Sequence, residues 1–341
     1  MKKVSISDIA RKAGVSVSTV SFVMNDKAVK MRISREVIEK VENVAREMGY
    51  RPNQLARGLR TGKTKTIGLI VENISNAFFA TLAKTIEDEA KKYDYKVVYC
   101  STDNDEEKAR ELINMLSQRQ VDGYIITPTQ HLAEDIRRLQ AESKPVVLID
   151  RYFPQHEEIP AVLVDNYEGV AQGTEFLLGK GYRKIALVTI EAEMAHMKDR
   201  LRAYYDVMAR HGDAVEERLV KVVPYQFDRE MALKEIKNLL SGTDAPDAVF
   251  FLTNYLGVLG IEAIKDLEIK IPEQLAVLCF DDNDIFRLYN PTISVIRQPI
   301  EEIGQKAMFA LIERLKHTGT GVYPEDKPVK LAAELIPRQS I

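Results

Sequence analysis

From Thr66 onward, short unbroken apolar runs alternate with amphipathic helical stretches, and this alternation leaves few folds open. IGLIV (67–71) is followed by a helix near Phe78 to Tyr93, KVVYC (96–100) by a helix near Glu106 to Arg119, and GYIIT (123–127) by a helix from His131 to Ala141; PVVLID (145–150) ends the series. AVLVDN (161–166) opens a second series that continues through KIALVT (184–189), a weaker VKVV (220–223), AVFFLT (248–253) and LAVLCF (275–280). Apolar runs without alternation, separated by helices, indicate parallel strands covered on both faces. Two such series predict two doubly wound α/β halves facing across a cleft.

The segment before this body is of another kind. Residues 1 to 65 hold 15 Lys and Arg against 6 Asp and Glu, a net of +9, within a chain whose overall net charge is only -3. A basic head on an acidic body suits a head that meets phosphates. The chain has 341 residues, too many for one small core. It has no apolar run long enough to span a membrane, and MKKVSISDIARKAG lacks the apolar stretch of a secretory signal. Cys100 and Cys279 end apolar runs without a CxxC partner, which reads as buried reduced thiols and fits the cytoplasm.

Within the head, SISDIARKAGVSVSTVSFVMN (5–25) reads as two short helices joined by a tight turn. Ser5 and Asp8 fit a capping box. Ile9, Ala10 and Ala13 share a helix face, Gly14 supplies a positive φ, and Ser16 caps a second helix with Val20 and Val23 inward. Val17, Ser18, Ser21 and Phe22 are left on the outer face, the pattern of a helix-turn-helix recognition helix; an ordinary helical hairpin would share the same periodicity. Ser34 is placed to cap a third helix to Met48, with Ile38, Val41, Ala45 and Met48 inward and Gly49 as the stop.

That stretch, followed by YRPNQLARGLRTGKTKTIGLI (50–70), closely resembles the start of the lactose-repressor (LacI/GalR) family of bacterial transcription regulators, with a few extra residues around Lys30 to Ile33. Weaker motifs carry the resemblance to the C-terminus. It implies a DNA-binding head over 1–50, a hinge helix and linker over 51–64, and an effector-binding and dimerisation body over 65–341. Its lobes are expected over about 65–163 plus 292–322 and 164–291 plus 323–341. The strand and helix at 293–315 then return to the first lobe, and VKLAAELIPRQ (329–339) forms one final strand in the second. With no leucine heptad tail, a homodimer is expected.

The resemblance also implies which residues meet DNA. Val17, Ser18 and Phe22 are expected to set base preference, while Ser5, Ser16, Thr19, Ser21, Asn25 and Tyr50 hold phosphates or the fold. Asn53 caps a hinge helix carrying Ala56, Arg57 and Leu59, the leucine wedging into a minor-groove base step. Phe22 stands where many relatives carry Arg, so it can touch a thymine methyl but cannot hold guanine, and the operator should differ from the common one. GLRTGKT (58–64) imitates a phosphate-binding loop, but it has one residue too few between the glycines and precedes a strand rather than following one.

In such folds ligands lie at the carboxyl ends of strands, between lobes. Strand ends nominate Asn76, Phe78, Phe79, Asp103, Asp150, Asn254 and Asp281, with Phe79 read chiefly as core. Resemblance adds Arg200 and supports Phe78, Asn254 and Asp281. IEAEMAHMKD (190–199) replaces the usual glycine-rich stretch and puts Glu191, Glu193, His196 and Met197 near the cleft mouth, His196 being read as a loop residue. Asp282 reads as a helix cap. A sugar or sugar acid is the implied effector. No metal or cofactor motif stands out. A solute-binding protein without DNA activity is the competing reading, and an enzyme a third; there is no GxGxxG after a strand, HExxH or GxSxG.

Overall fold

The computed structural model describes residues 4–25, 27–50, 63–191, 193–212, 215–242, 244–317 and 327–341. They form two compact units, 1–64 and 65–341. The hinge residues Asn53, Ala56, Arg57 and Leu59, and most of the loop-like GLRTGKT run, lie outside the described residues.

The first unit is three helices, α1 (Ile6–Ala13), α2 (Val17–Val23) and α3 (Arg35–Glu47). Ser5 and Asp8 form the reciprocal capping box, and Gly14 sits at φ 65°, the left-handed region that ends α1. Ser16 caps α2 by accepting from the Thr19 N–H, and Ser34 caps α3. Ile9, Ala10, Ala13, Val20, Val23, Val41 and Ala45 make the buried core with Ala28, which joins from the loop after α2.

The second unit contains two six-stranded sheets. The first lobe runs β1 (Thr66–Val71), α4 (Ala77–Lys92), β2 (Lys96–Ser101), α5 (Glu106–Gln118), β3 (Gly123–Ile126), α6 (Ala133–Ala141), β4 (Val146–Ile149) and β5 (Ala161–Val164). The second runs α7 (Asn166–Gly179), β6 (Ile185–Ile190), α8 (Ala195–Arg210), β7 (Val220–Val223), α9 (Arg229–Leu240), β8 (Ala248–Phe251), α10 (Asn254–Asp266), β9 (Ala276–Phe280), α11 (Asp284–Leu288) and β10 (Ser294–Arg297). The chain closes with α12 (Ile300–Lys316), β11 (Val329–Leu331) and β12 (Glu334–Ile336). Strand order is β11-β5-β4-β3-β1-β2 in one sheet and β12-β10-β9-β8-β6-β7 in the other. All described pairings are parallel except β10 with β12. Core strands such as β4, β8 and β9 are buried at every residue, as continuous apolar runs require. The close packing of α10 on β8 depends on Gly260, where a Cβ would lie 2.0 Å from Phe251 Cζ.

The C-terminal expectation needs two corrections. The strand at 294–297 does not return to the first lobe: it pairs with β9 in the second, and the chain crosses only afterwards, at Gln298-Pro299, so that α12 packs on α4, β3, β4 and β5. Ser294, Val295 and Ile296 are all buried, and a strand so covered belongs inside a sheet, between β9 and β12. The final run is not one strand but two. β11 pairs with β5 in the first lobe, and after Ala332-Ala333 β12 pairs with β10 in the second. Nothing in KLAAEL marks a turn, because the chain changes sheets without reversing direction. The three crossings, at Asp165, Gln298-Pro299 and Ala332-Ala333, are joined in part by the Asp165 N–H donating to the Leu331 carbonyl at 2.8 Å.

Candidate functional site

Two sites can be built from these elements, and each belongs to one unit. In the head, α2 presents Val17, half exposed, and Ser18, exposed, beside the partly buried Ser21 and Phe22. Ser16 Oγ lies 2.7 Å from Ser18 Oγ and 2.8 Å from Thr19 Oγ1, so three hydroxyls cluster at the helix start. Their donors and acceptors can turn outward to phosphate, beside the free N–H groups of a helix N-terminus. Asn25 is differently engaged: its amide donates to the Ser21 carbonyl at 2.5 Å and closes the helix end. Tyr50 packs against the head core, and burial raises its pKa. Ser5 is engaged with Asp8. Val17 and Ser18 are thus exposed and Phe22 partly so, while Ser5, Ser16, Thr19 and Asn25 are held in hydrogen bonds within the head.

In the body, residues from both lobes converge where the strands end. Arg200, on α8, is buried; its Nε donates to Asn166 Oδ1 at 2.7 Å and its Nη1 to the Leu252 carbonyl at 2.6 Å. The guanidinium lies 3.6 Å from the centroid of the Phe280 ring. Burial lowers its pKa, and the carboxylates of Asp281 and Asp150 work against that lowering. Asp281 follows β9 at φ 72° and accepts from Gln298 Nε2 at 2.6 Å. Burial raises its pKa, opposed by Arg200 and by the Gln298 bond. Asp150 follows β4 at φ 66°; burial pushes its pKa up to about 7 against the pull of Arg200. Asn254 Nδ2 donates across the cleft to Asn76 Oδ1 at 3.0 Å, while Asn76 also caps α4 through the Phe78 N–H.

Asp150, Arg200, Asn254, Asp281 and Asn76 therefore share one site. Phe78 and Phe79 lie beside it as an edge-to-face pair with centroids 4.9 Å apart, both nearly buried in the core. Asp103 stands apart: its side chain is 53% exposed and pairs with Lys108. Asp282 does not cap α11, a role taken by Asn283; it makes a two-pronged ion pair with Arg338, at 3.0 and 2.6 Å.

Several residues of the site were not nominated by the sequence. Arg151, next to Asp150, is a second buried guanidinium. It donates to Asn104 Oδ1 at 2.8 Å and to Glu72, and its Nε lies 3.3 Å from Asp150 Oδ2. Burial brings its pKa down to about 10. The hydroxyls of Tyr225 and Tyr255 also face the arginines, and Tyr255 stacks on Phe227 at 6.2 Å. The signal for Arg151 was present in its place at a strand end, immediately after Asp150. His196 is not in a loop but in the first turn of α8, one turn before Arg200. Met197 is core, and Glu193 accepts from Gln130 of the first lobe at 2.7 Å. A cavity of about 370 Å³ at this mouth is lined by Gln130, Arg151, Tyr152, Glu193, Met194 and Lys198 among others.

The charges nearly balance. Arg151 pairs with Glu72 and Asp150, and the carboxylates of Asp281 and Asp150 act on Arg200, so the site sets two guanidiniums against three carboxylates, with the exposed Lys198 at the mouth. Among the described residues no group of three or more His, Cys, Asp or Glu could hold a metal ion, and no helix is long and apolar enough to cross a membrane.

Comparison with known proteins agrees with this fold. Residues 5–53 match the model for bacterial regulatory proteins of the lacI family, and residues 174–341 match a periplasmic binding protein-like domain. Catabolite control protein A of Priestia megaterium is 32% identical over 308 residues, spanning 89% of this chain and 90% of its own. A ribose operon repressor of Halalkalibacterium halodurans is 32% identical, spanning 96% and 95%. The crystal structure of the Lac repressor dimer bound to operator and an anti-inducer shares the fold at a TM-score of 0.84, with 20% identity and 99% of each chain covered. With a helix-turn-helix head, a two-lobed body and full-length relatives that are regulators rather than enzymes, the chain belongs to the lacI family of DNA-binding transcriptional regulators.

Proposed function

We propose that this regulator is a repressor that binds a near-palindromic operator as a homodimer and is controlled by a small sugar held between its lobes. The observation that carries the effector reading is the placement of Arg200, its Nε and Nη1 fixed by Asn166 and Leu252 and its remaining donors free between Asp150 and Asp281. Such alternating donors and acceptors beside aromatic rings match a sugar's hydroxyls and its apolar face. A pentose is favoured: two relatives are named ribose operon repressors, at 32% and 31% identity. A solved relative, 26% identical with a TM-score of 0.67, is described as complexed with D-xylulofuranose.

Two heads related by a two-fold axis call for a two-fold operator. Effector and operator must favour different lobe arrangements, and the coupling acts equally on both affinities. In the head, Val17, Ser18 and Phe22 read bases, with Ser16, Thr19 and Ser21 at the backbone. In the body, Asn76, Phe78, Asp150, Arg200, Asn254 and Asp281 contact the effector. The test is selection of sites from random duplexes with purified protein, with and without D-ribose. Enrichment of a near-palindrome whose binding weakens steeply with salt and changes with the sugar supports the reading. Failure to enrich any sequence in either condition refutes it.

A further inference from the structure

Among the described residues, the cleft holds two buried polar atoms without a hydrogen-bond partner, Arg151 Nε, which lies 3.3 Å from Asp150 Oδ2, and His196 Nδ1, which has no such charge partner. His196 Nδ1 is buried and, among the described residues, has no hydrogen-bond partner. His196 lies four residues before Arg200 on α8, so both side chains project from one helix face toward the site. Its electrostatic neighbours are the guanidiniums of Arg151 and Arg200. A buried orphan nitrogen is costly, and natural sites seldom retain one unless a ligand or water completes it.

We propose that His196 is a specificity residue of the effector site, accepting a hydrogen bond from a hydroxyl of a neutral sugar and thereby rejecting sugar acids and sugar phosphates. The proposal rests on the sugar-effector reading above. Two cations beside the ring make a third positive charge unfavourable, and burial adds to this, so the imidazole stays neutral with its pKa well below the usual histidine value. The neutral ring's nitrogen lone pair is stabilised where it faces the guanidiniums. A sugar hydroxyl suits both groups, because its hydrogen goes to His196 and its oxygen accepts from an arginine. A carboxylate or phosphate oxygen suits only the arginines. It brings no proton, so His196 must either take the tautomer that sets its Nδ1–H toward two cations or carry a third positive charge there, and both are disfavoured beside Arg151 and Arg200. Arg151 is paired with Glu72 and Asp150, and the carboxylates of Asp150 and Asp281 also act on Arg200, so an anion entering beside His196 meets three carboxylates as well as the two guanidiniums.

The test is isothermal titration of the full-length protein with D-ribose, D-xylose, D-ribonate and D-ribose 5-phosphate, for wild type, His196→Leu and His196→Gln. Wild type should bind a neutral pentose at least about tenfold more tightly than either anion. His196→Leu should lose about tenfold for the neutral sugar. His196→Gln, whose amide can donate to an anionic oxygen, should move the neutral-to-anion ratio toward one. A packing role would weaken all four ligands together and leave that ratio unchanged, as thermal melts of the variants would corroborate. Preference of wild type for an anion, or an unchanged ratio in both variants, overturns the role of His196 while leaving the sugar effector standing. Binding of none of the four ligands to wild type removes the pentose reading, and His196's role falls with it.

Discussion

Arg200→Met isolates what the central guanidinium does for the fold from what it does for a ligand. Methionine keeps the buried stem but removes the bonds to Asn166 and Leu252, at 2.7 and 2.6 Å, and the contact with Phe280. Each acceptor left unsatisfied in a buried site costs about 1–3 kcal/mol, and the low end applies where cleft water can enter. The lost cation–ring contact adds about 1 kcal/mol. Asp150 and Asp281 lose a neighbouring charge that favours their ionised forms, and they respond by binding protons at neutral pH. The sum is about 3 kcal/mol, equivalent to roughly 6 °C in the melting temperature of a domain this large. Differential scanning calorimetry of the effector-free protein measures it directly. Asn166→Ala should cost less, and the double variant should fall short of additivity by about 1 kcal/mol, because both changes remove the same bond. A loss for Arg200→Met below about 1 kcal/mol, with full additivity, would refute the claim that Arg200 is tied to α7 and β8 before any ligand arrives.

Other expectations follow from the same geometry. Effector affinity should fall as pH drops through about 7, because Asp150 accepts hydrogen bonds as a carboxylate and burial raises its pKa to about that value; titration calorimetry from pH 8 to pH 5.5 tests this, and Asp150→Asn should flatten the profile. The same raised pKa means that the free fold binds a proton the unfolded chain releases. Asp150's contribution to effector-free stability is therefore fully present below about 4 and lost as pH rises toward about 7. Phe22→Arg should change the half-site recovered from random duplexes toward guanine at one position, and an unchanged half-site would remove Phe22 from base reading. Ser16→Ala should lower the stability of the head by about 1 kcal/mol, read as an earlier melt of its helical signal, since the Thr19 N–H loses its cap.

Much of this architecture was readable before any coordinates. Unbroken runs such as AVFF and AVLCF can only be central strands once helices flank them, and both sheets follow from counting them. Cap residues marked the head helices equally well, because Ser5, Ser16 and Ser34 each sit one position before a helix begins. The C-terminal crossings were misread for a physical reason: strand character is local, whereas membership of a sheet is decided by distant partners, and Ala332-Ala333 carries no turn chemistry. In the cleft, strand-end logic reached Asp150 but stopped one residue short of Arg151, whose partners Glu72 and Asn104 come from other strand ends. His196 was discounted because a sequence cannot tell a loop from the first turn of a helix that lacks a side-chain cap, as α8 does.

Gln298 gives the cleft a mechanical aspect. It occupies one of the three crossings and donates to Asp281 at 2.6 Å, so a carboxylate of the proposed effector site is tied directly to one of the straps between the lobes. On the effector reading proposed above, a sugar that competed for Asp281 would act on that strap at its root, where α12 begins. Recognition and leverage thus meet in one hydrogen bond, and the chemistry of the pocket is also the stiffness of the joint.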